Sequence, residues 1–195
     1  MNYEFNSNSS YVILGANGAG KSTLLRLIAG NILPSTGEIS YSLNNTDING
    51  ESIFRYLTIA APYMELLEEL TLPESLSFHA HFKPFITGYN NDKIIDFLGL
   101  TNSKRLQIKY YSSGMKQRVR LALAILSKTP LLLLDEPLTN LDNEGIEWYR
   151  NLMNDPEINR ERLIIVRSNH REEEYSFCSE KLNIDDYAVS GEYFN

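Results

Sequence analysis

Gly15-Ala16-Asn17-Gly18-Ala19-Gly20-Lys21-Ser22 is the stretch whose reading decides the fold, because it matches the spacing G-x4-G-K-[ST] in full. Immediately before it, Tyr11 to Leu14 is a short β-branched and apolar run that stops at the glycines, which predicts a buried strand entering a loop. After it, Leu24, Leu27 and Ile28 share one face at helical spacing, and Gly30 stands where a C-terminal glycine ends a helix. Strand, glycine loop and helix in that order form the context in which this spacing holds phosphate. Glycines let successive backbone N–H groups curl around an anion at the positive end of a helix. Lys21 then supplies charge for β- and γ-oxygens, Ser22 offers a hydroxyl to Mg²⁺, and Thr23 is placed to reach an α-phosphate.

Further along the chain, Leu131 to Leu134 reads as a second buried strand and Leu163 to Val166 as a third, so strands alternate with helices as parallel α/β sheets require. Asp135 and Glu136 follow the second strand directly, at the strand end where open α/β sheets bind ligands. That placement makes Asp135 a candidate for the Mg²⁺ shell and Glu136 a candidate general base for a water that attacks a γ-phosphate. Residues 32 to 57 are rich in turn formers and predict short strands and turns. Helical periodicity takes over in 66–82 (LLEELTLPESLSFHAHF) and 92–100 (DKIIDFLGL), a small helical insert. A longer helix is predicted to begin near Ser112 or Ser113, to place Met115, Val119, Ala122, Leu123 and Leu126 on one face, and to end before Pro130.

At 195 residues and 43% apolar content the chain can bury one sizeable core. Its 25 acidic and 18 basic residues leave a net charge of −7, which argues against a protein that grips nucleic acid by its phosphates. Cys178, the single cysteine, forms no internal disulfide and fits a reducing compartment, so the cytoplasm is expected. No apolar run approaches the roughly 18 residues of a membrane helix. The first ten residues, MNYEFNSNSS, lack the basic and apolar regions of a signal peptide. His79 and His81 diverge on a helix and have no cysteine or carboxylate cluster beside them, so they are read as packing residues and not as metal ligands.

With these motifs in place, Tyr111-Ser112-Ser113-Gly114-Met115-Lys116-Gln117-Arg118 resembles the signature segment of the ATP-binding subunits of ABC transporters, usually Leu-Ser-Gly-Gly-Gln. Ser112 and Gly114 are kept, while Tyr111, Ser113 and Met115 replace Leu, Gly and Gln. Leu138-Thr139-Asn140-Leu141-Asp142 resembles the family's D-loop, Asn169-His170 its H-switch, and residues 66–74 the segment after its Q-loop. The resemblance covers nearly the whole chain. It implies a P-loop NTPase fold over 1–195 as a single domain. A mostly parallel sheet core is expected from about 1–62 and 128–195, and a helical subdomain from about 63–127. It further implies ATP and Mg²⁺, with Gly15, Ala16, Asn17, Gly18, Ala19, Gly20, Lys21, Ser22 and Thr23 on the nucleotide and Ser22 and Asp135 on the metal. Ser112, Ser113, Gly114, Met115 and Asp142 would approach the nucleotide of an opposed subunit, with Glu136 as base and His170 on the γ-phosphate and attacking water. A homodimer or heterodimer of ATPase subunits, a separate transmembrane permease and a place on the inner face of the cell membrane complete the expectation.

Two positions depart from the family pattern. Tyr63 follows Pro62 where the Q-loop glutamine is expected, with Glu65 as a stand-in, and only 14 residues precede Gly15. The upstream strand bearing the family's adenine-stacking aromatic is therefore expected to be missing, with Tyr3 and Phe5 as strand residues and nucleotide affinity weakened. Three other readings fit parts of the pattern: a soluble ABC-type ATPase without a permease, a small P-loop kinase, and a regulatory subunit that binds ATP without turning it over, which Tyr63 and the short N-terminus motivate. The first usually carries tandem units or long coiled coils, and the second does not need Ser112-Ser113-Gly114.

Overall fold

The computed structural model describes residues 1–187. Five parallel strands, β1 (Ser10–Leu14), β4 (Leu57–Ala60), β5 (Leu131–Asp135), β6 (Leu163–Arg167) and β7 (Glu180–Asn183), form one sheet in the order β4-β5-β6-β1-β7. Two of them, β4 and β7, lie outside the three strands expected from apolar runs. The β4 run contains Thr58, whose hydroxyl is satisfied by the Ala124 carbonyl at 2.9 Å, and β7 is a mostly exposed edge strand. Neither therefore shows an unbroken apolar pattern. A hairpin of β2 (Tyr41–Leu43) and β3 (Thr46–Ile48) occupies the turn-rich region.

Side chains alternate across the sheet and build two cores. On one face Ile13, Leu133 and Ile165 pack against Leu25 and Ile28 of α1 (Lys21–Ile28) and against Ile53. On the other face Val12, Leu132, Leu134, Ile164 and Val166 receive five helices: α2 (Leu72–Phe82), α3 (Asn91–Phe97), α4 (Ser113–Ile125), α5 (Asn143–Met153) and α6 (Pro156–Asn159). The three helices α2, α3 and α4 lie in the chain between β4 and β5.

Two local expectations are corrected. Residues 66–70 are not helical, because the backbone there pairs outward: the Leu70 carbonyl accepts from Ile108 N–H at 2.8 Å and that of Glu68 from Lys109 N–H at 2.9 Å. The helix starts only where Glu74 accepts from the Thr71 N–H at 2.8 Å, with Pro73 in the first turn. Residues 1–6 carry no strand. Tyr3 and Phe5 instead pack edge-on or tilted against each other and Tyr11, and Tyr3 also meets Tyr187.

Candidate functional site

The carboxyl ends of β1, β6 and β5 are neighbours, and residues 15–23, Asp135, Glu136 and His170 lie at or just after them. Gly18 and Gly20 have φ of +85° and +97°, a backbone region that side chains with a Cβ rarely adopt, which explains glycine at both positions. The chain turns there so that Gly20 caps α1, and the first-turn N–H groups of Lys21, Ser22 and Thr23 have no backbone partner among the described residues. Lys21 is only 3% exposed, and its Nζ donates to the carbonyls of Gly15 (2.7 Å) and Ala16 (2.9 Å). Burial lowers its pKa from the ordinary value, as does the nearby charge of Arg167, while Asp185 and Asp135 act in the opposite sense. Donors, a cation and a helix N-terminus converge on one loop suited to an anion.

Asp135 ends β5 and is 3% exposed. Burial raises its pKa above the ordinary value, offset in part by Arg167 and Lys21. Its Oδ1 is buried without a hydrogen-bond partner among the described residues and forms an ion pair with Arg167 Nη1 at 3.3 Å. Among the described residues no group of three or more His, Cys, Asp or Glu side chains could hold a metal ion alone. An orphaned carboxylate oxygen and a serine hydroxyl are hard ligands that fit Mg²⁺, which takes one or two protein oxygens and completes its shell with phosphate and water.

Glu136 adopts φ of +44°, in the left-handed region, and its N–H donates to the Arg167 carbonyl at 2.9 Å. Its Oε1 accepts from both Arg167 Nη1 and Asn169 Nδ2. His170 also lies in the left-handed region, at φ +65°. Backbone held in sparsely populated conformations at both predicted catalytic positions is the kind of strain that clusters at functional sites. His170 lines a cavity of about 740 Å³ with Asn169, Arg150 and Arg171.

Ser112, Gly114, Met115 and Asp142 line a separate cavity of about 350 Å³ together with Arg118 and Asn140. Ser112 caps α4, its Oγ accepting from Met115 N–H at 3.2 Å, and Ser113 follows as the first helical residue. Asp142 caps α5 through Gly145 N–H at 2.8 Å and pairs with Arg118 at 3.1 Å. No hydrogen bond or ion pair among the described residues joins this cluster to the phosphate loop. The predicted residues thus fall into two groups: Lys21, Asp135, Glu136 and Asn169 at one place, and Ser112 to Met115 with Asp142 at another.

Tyr63 is half-exposed, and burial together with the charge of Asp135 raises its phenol pKa. Glu65 is exposed and makes no ion pair among the described residues. Three site neighbours were not singled out from the sequence: Arg167, Asn169 as a Glu136 partner, and Asp185, whose carboxylate accepts from Ala16 N–H at 2.9 Å. Arg167 carries a readable signal, being a basic residue that closes an otherwise apolar strand. Asp185 carries none, because its approach depends on how β7 is placed beside β1.

Residues 1–139 match the family model described as ABC transporter. The chain is 29% identical over 191 residues to YybJ, an uncharacterized ABC transporter ATP-binding protein of Bacillus subtilis, covering 95% of this chain and 84% of that one. It is 31% identical to the bacitracin transport ATP-binding protein BcrA of Bacillus licheniformis, over 86% of this chain but 55% of BcrA, and it spans 46% and 45% of two further Bacillus subtilis relatives. A solved structure titled as an ATP binding subunit of an ABC transporter superposes with a TM-score of 0.76 at 25% identity, covering 93% of this chain and 76% of that one. Among the described residues no helix is long and apolar enough to cross a membrane. Phosphate loop, acidic strand end, matched family model and shared fold lead to one conclusion: the chain belongs to the ABC transporter family, as an ATP-binding subunit.

Proposed function

We propose that this chain binds and hydrolyses ATP as the energy-coupling subunit of an ABC transporter, with each ATP held between two such subunits. The observation that carries this reading is the separation of the two residue groups. Ser112, Gly114 and Met115 line their own cavity, which neither Lys21 nor Asp135 lines, so one chain presents two half-sites. A second subunit, identical or related, supplies the missing half to each. Residues 15–23 cradle the phosphates, and Ser112, Ser113, Gly114 and Met115 of the opposed subunit face the γ-phosphate from the helix α4 N-terminus. Asp142 lies beside that segment.

Ser22 and Asp135 are the residues that would hold Mg²⁺, which when bound screens the phosphate charge. Glu136 accepts the proton of the attacking water, and His170 orients that water and the γ-phosphate. Lys21 neutralises charge that develops on the transferred group. We assign residues 1–62 and 128–195, of which 188–195 lie outside the described residues, to the ATPase core and 63–127 to the helical part that meets a separate permease around Tyr63 to Glu74. That contact would hold the chain on the cytoplasmic face of the membrane. Dimeric cassettes of the same fold, such as the bacterial one that superposes with a TM-score of 0.74, are compatible with this arrangement.

Equilibrium binding of a fluorescent ATP analogue tests the reading. The wild-type chain should bind it and Lys21→Ala should lose most of the affinity, whereas equal binding by both, or none by the folded wild type, would contradict it.

A further inference from the structure

Arg167 ends β6, and its Cα is in register with that of Asp135 on the neighbouring strand. The backbone on both sides is fixed: the Arg167 carbonyl accepts from Glu136 N–H at 2.9 Å, and the next N–H, that of Ser168, donates to Ile13 on β1 at 3.3 Å. With its side chain only 15% exposed, the guanidinium has little room to leave the carboxylates. Its Nη1 contacts Glu136 Oε1 and lies 3.3 Å from Asp135 Oδ1. Asn169 Nδ2 donates to the same Glu136 oxygen, so two donors engage one oxygen of the proposed base.

A purely stabilising ion pair does not account for this geometry. Buried pairs add stability only when their remaining polar atoms are satisfied, yet Arg167 Nε and Asp135 Oδ1 are both buried without a hydrogen-bond partner among the described residues. Charge balance favours a different role. Lys21 and Arg167 match Asp135 and Glu136 in formal charge before any divalent cation is added, with Asp185 beside Ala16 a further carboxylate that acts on Lys21. The guanidinium therefore competes for the same carboxylates that a metal and a water proton would use.

Resting on the ATP-binding reading above, we propose that Arg167 is a positioning residue that acts as a built-in brake. It occupies the cation place between Asp135 and Glu136, weakens divalent-metal binding there and engages the lone pair that Glu136 needs as a base. The chain consequently binds ATP far more readily than it hydrolyses it. A planar fork suits this task better than a flexible ammonium, so lysine at 167 should restrain the carboxylates less well.

The test compares the full chain with Arg167→Leu and Arg167→Lys. Mn²⁺ affinity is measured by electron paramagnetic resonance in the presence of a non-hydrolysable ATP analogue, alongside kcat and KM for ATP and thermal unfolding. Arg167→Leu should bind Mn²⁺ tighter by about tenfold or more, with kcat raised and KM little changed, and Arg167→Lys should shift both in the same direction by less. If Arg167→Leu does not fold, the shift in Arg167→Lys decides alone. Folded variants that bind the analogue but show unchanged or weaker Mn²⁺ binding and unchanged or lower kcat would overturn the brake and leave the ATP-binding reading intact. Absence of analogue binding by the wild type and every folded variant would overturn both.

Discussion

The backbone N–H of Ala16 donates to the Asp185 carboxylate at 2.9 Å, tying the mouth of the phosphate loop to the turn that follows the edge strand β7. Ile184 packs on the same loop, so closely that a Cβ added to Gly15 would lie 2.6 Å from its Cγ2. The loop that is expected to hold phosphate is thus braced by residues nearly the whole chain away in sequence.

Asp185→Ala should loosen this brace with little effect on global stability, because the carboxylate is exposed and such hydrogen bonds contribute about 1 kcal/mol or less. Amide hydrogen exchange at residues 15–20 should accelerate, and affinity for a fluorescent ATP analogue should fall. Unchanged exchange in the loop would mean that Ile184 packing alone suffices.

Ser112→Ala removes the cap that accepts from Met115 N–H. Helix caps of this kind contribute about 1 kcal/mol, which denaturant unfolding should register. ATP binding by the isolated chain should persist, since Ser112 makes no hydrogen bond to its own phosphate loop among the described residues, while ATP-dependent dimerisation should weaken. Equal dimerisation by the variant would remove Ser112 from the proposed interface.

Tyr63 stands where the family carries an amide, and its phenol is kept in the neutral form by burial and by Asp135. Tyr63→Gln would bring an uncharged carbonyl oxygen, a better ligand for Mg²⁺. The Mg²⁺ concentration needed for half-maximal ATP turnover should drop, by a factor on the order of 10. An unchanged metal requirement would show that this position does not face the metal.

Burial lowers the pKa of His79 from 6.5 to about 4, aided by the charge of Lys83. Its Nε2 lies 2.7 Å from Ser127 Oγ and its ring stacks on Phe85. Below about 6.5 the unfolded chain takes up a proton that the folded chain refuses until about 4. The stability supported by neutral His79 is therefore complete above about 6.5 and is lost as the pH falls through that window, by up to about 3 kcal/mol. Urea unfolding of the wild type and His79→Gln between pH 7 and 4.5 should converge as the pH drops, the variant lacking this slope.

The elements that could be read from the sequence are those whose chemistry is local. Gly15 to Ser22, the Ser112 cap and the Leu131–Leu134 run each carry their own signal within a few residues, and the corresponding strand, loop and helix starts appear where expected. What could not be read depends on partners distant in the chain. The pairing of residues 68–70 with Ile108 and Lys109 overrides their helical periodicity. Strand β7 is specified by its place beside β1 rather than by its own composition. The Arg167–Glu136 contact exists only because β5 and β6 are neighbours in register, so an arginine at the end of one strand faces carboxylates at the end of the other.

Replacing Glu136 with Gln tests the ATP sandwich most directly, because it removes the proposed base while leaving the phosphate loop and Ser112 to Met115 intact. Light scattering coupled to size-exclusion chromatography, with ATP and Mg²⁺ in the running buffer, should show the variant at twice the 22.3 kDa mass of one chain and return it to the monomer mass without ATP. A variant that binds ATP at full occupancy yet remains monomeric in the presence of Mg²⁺ would contradict the account.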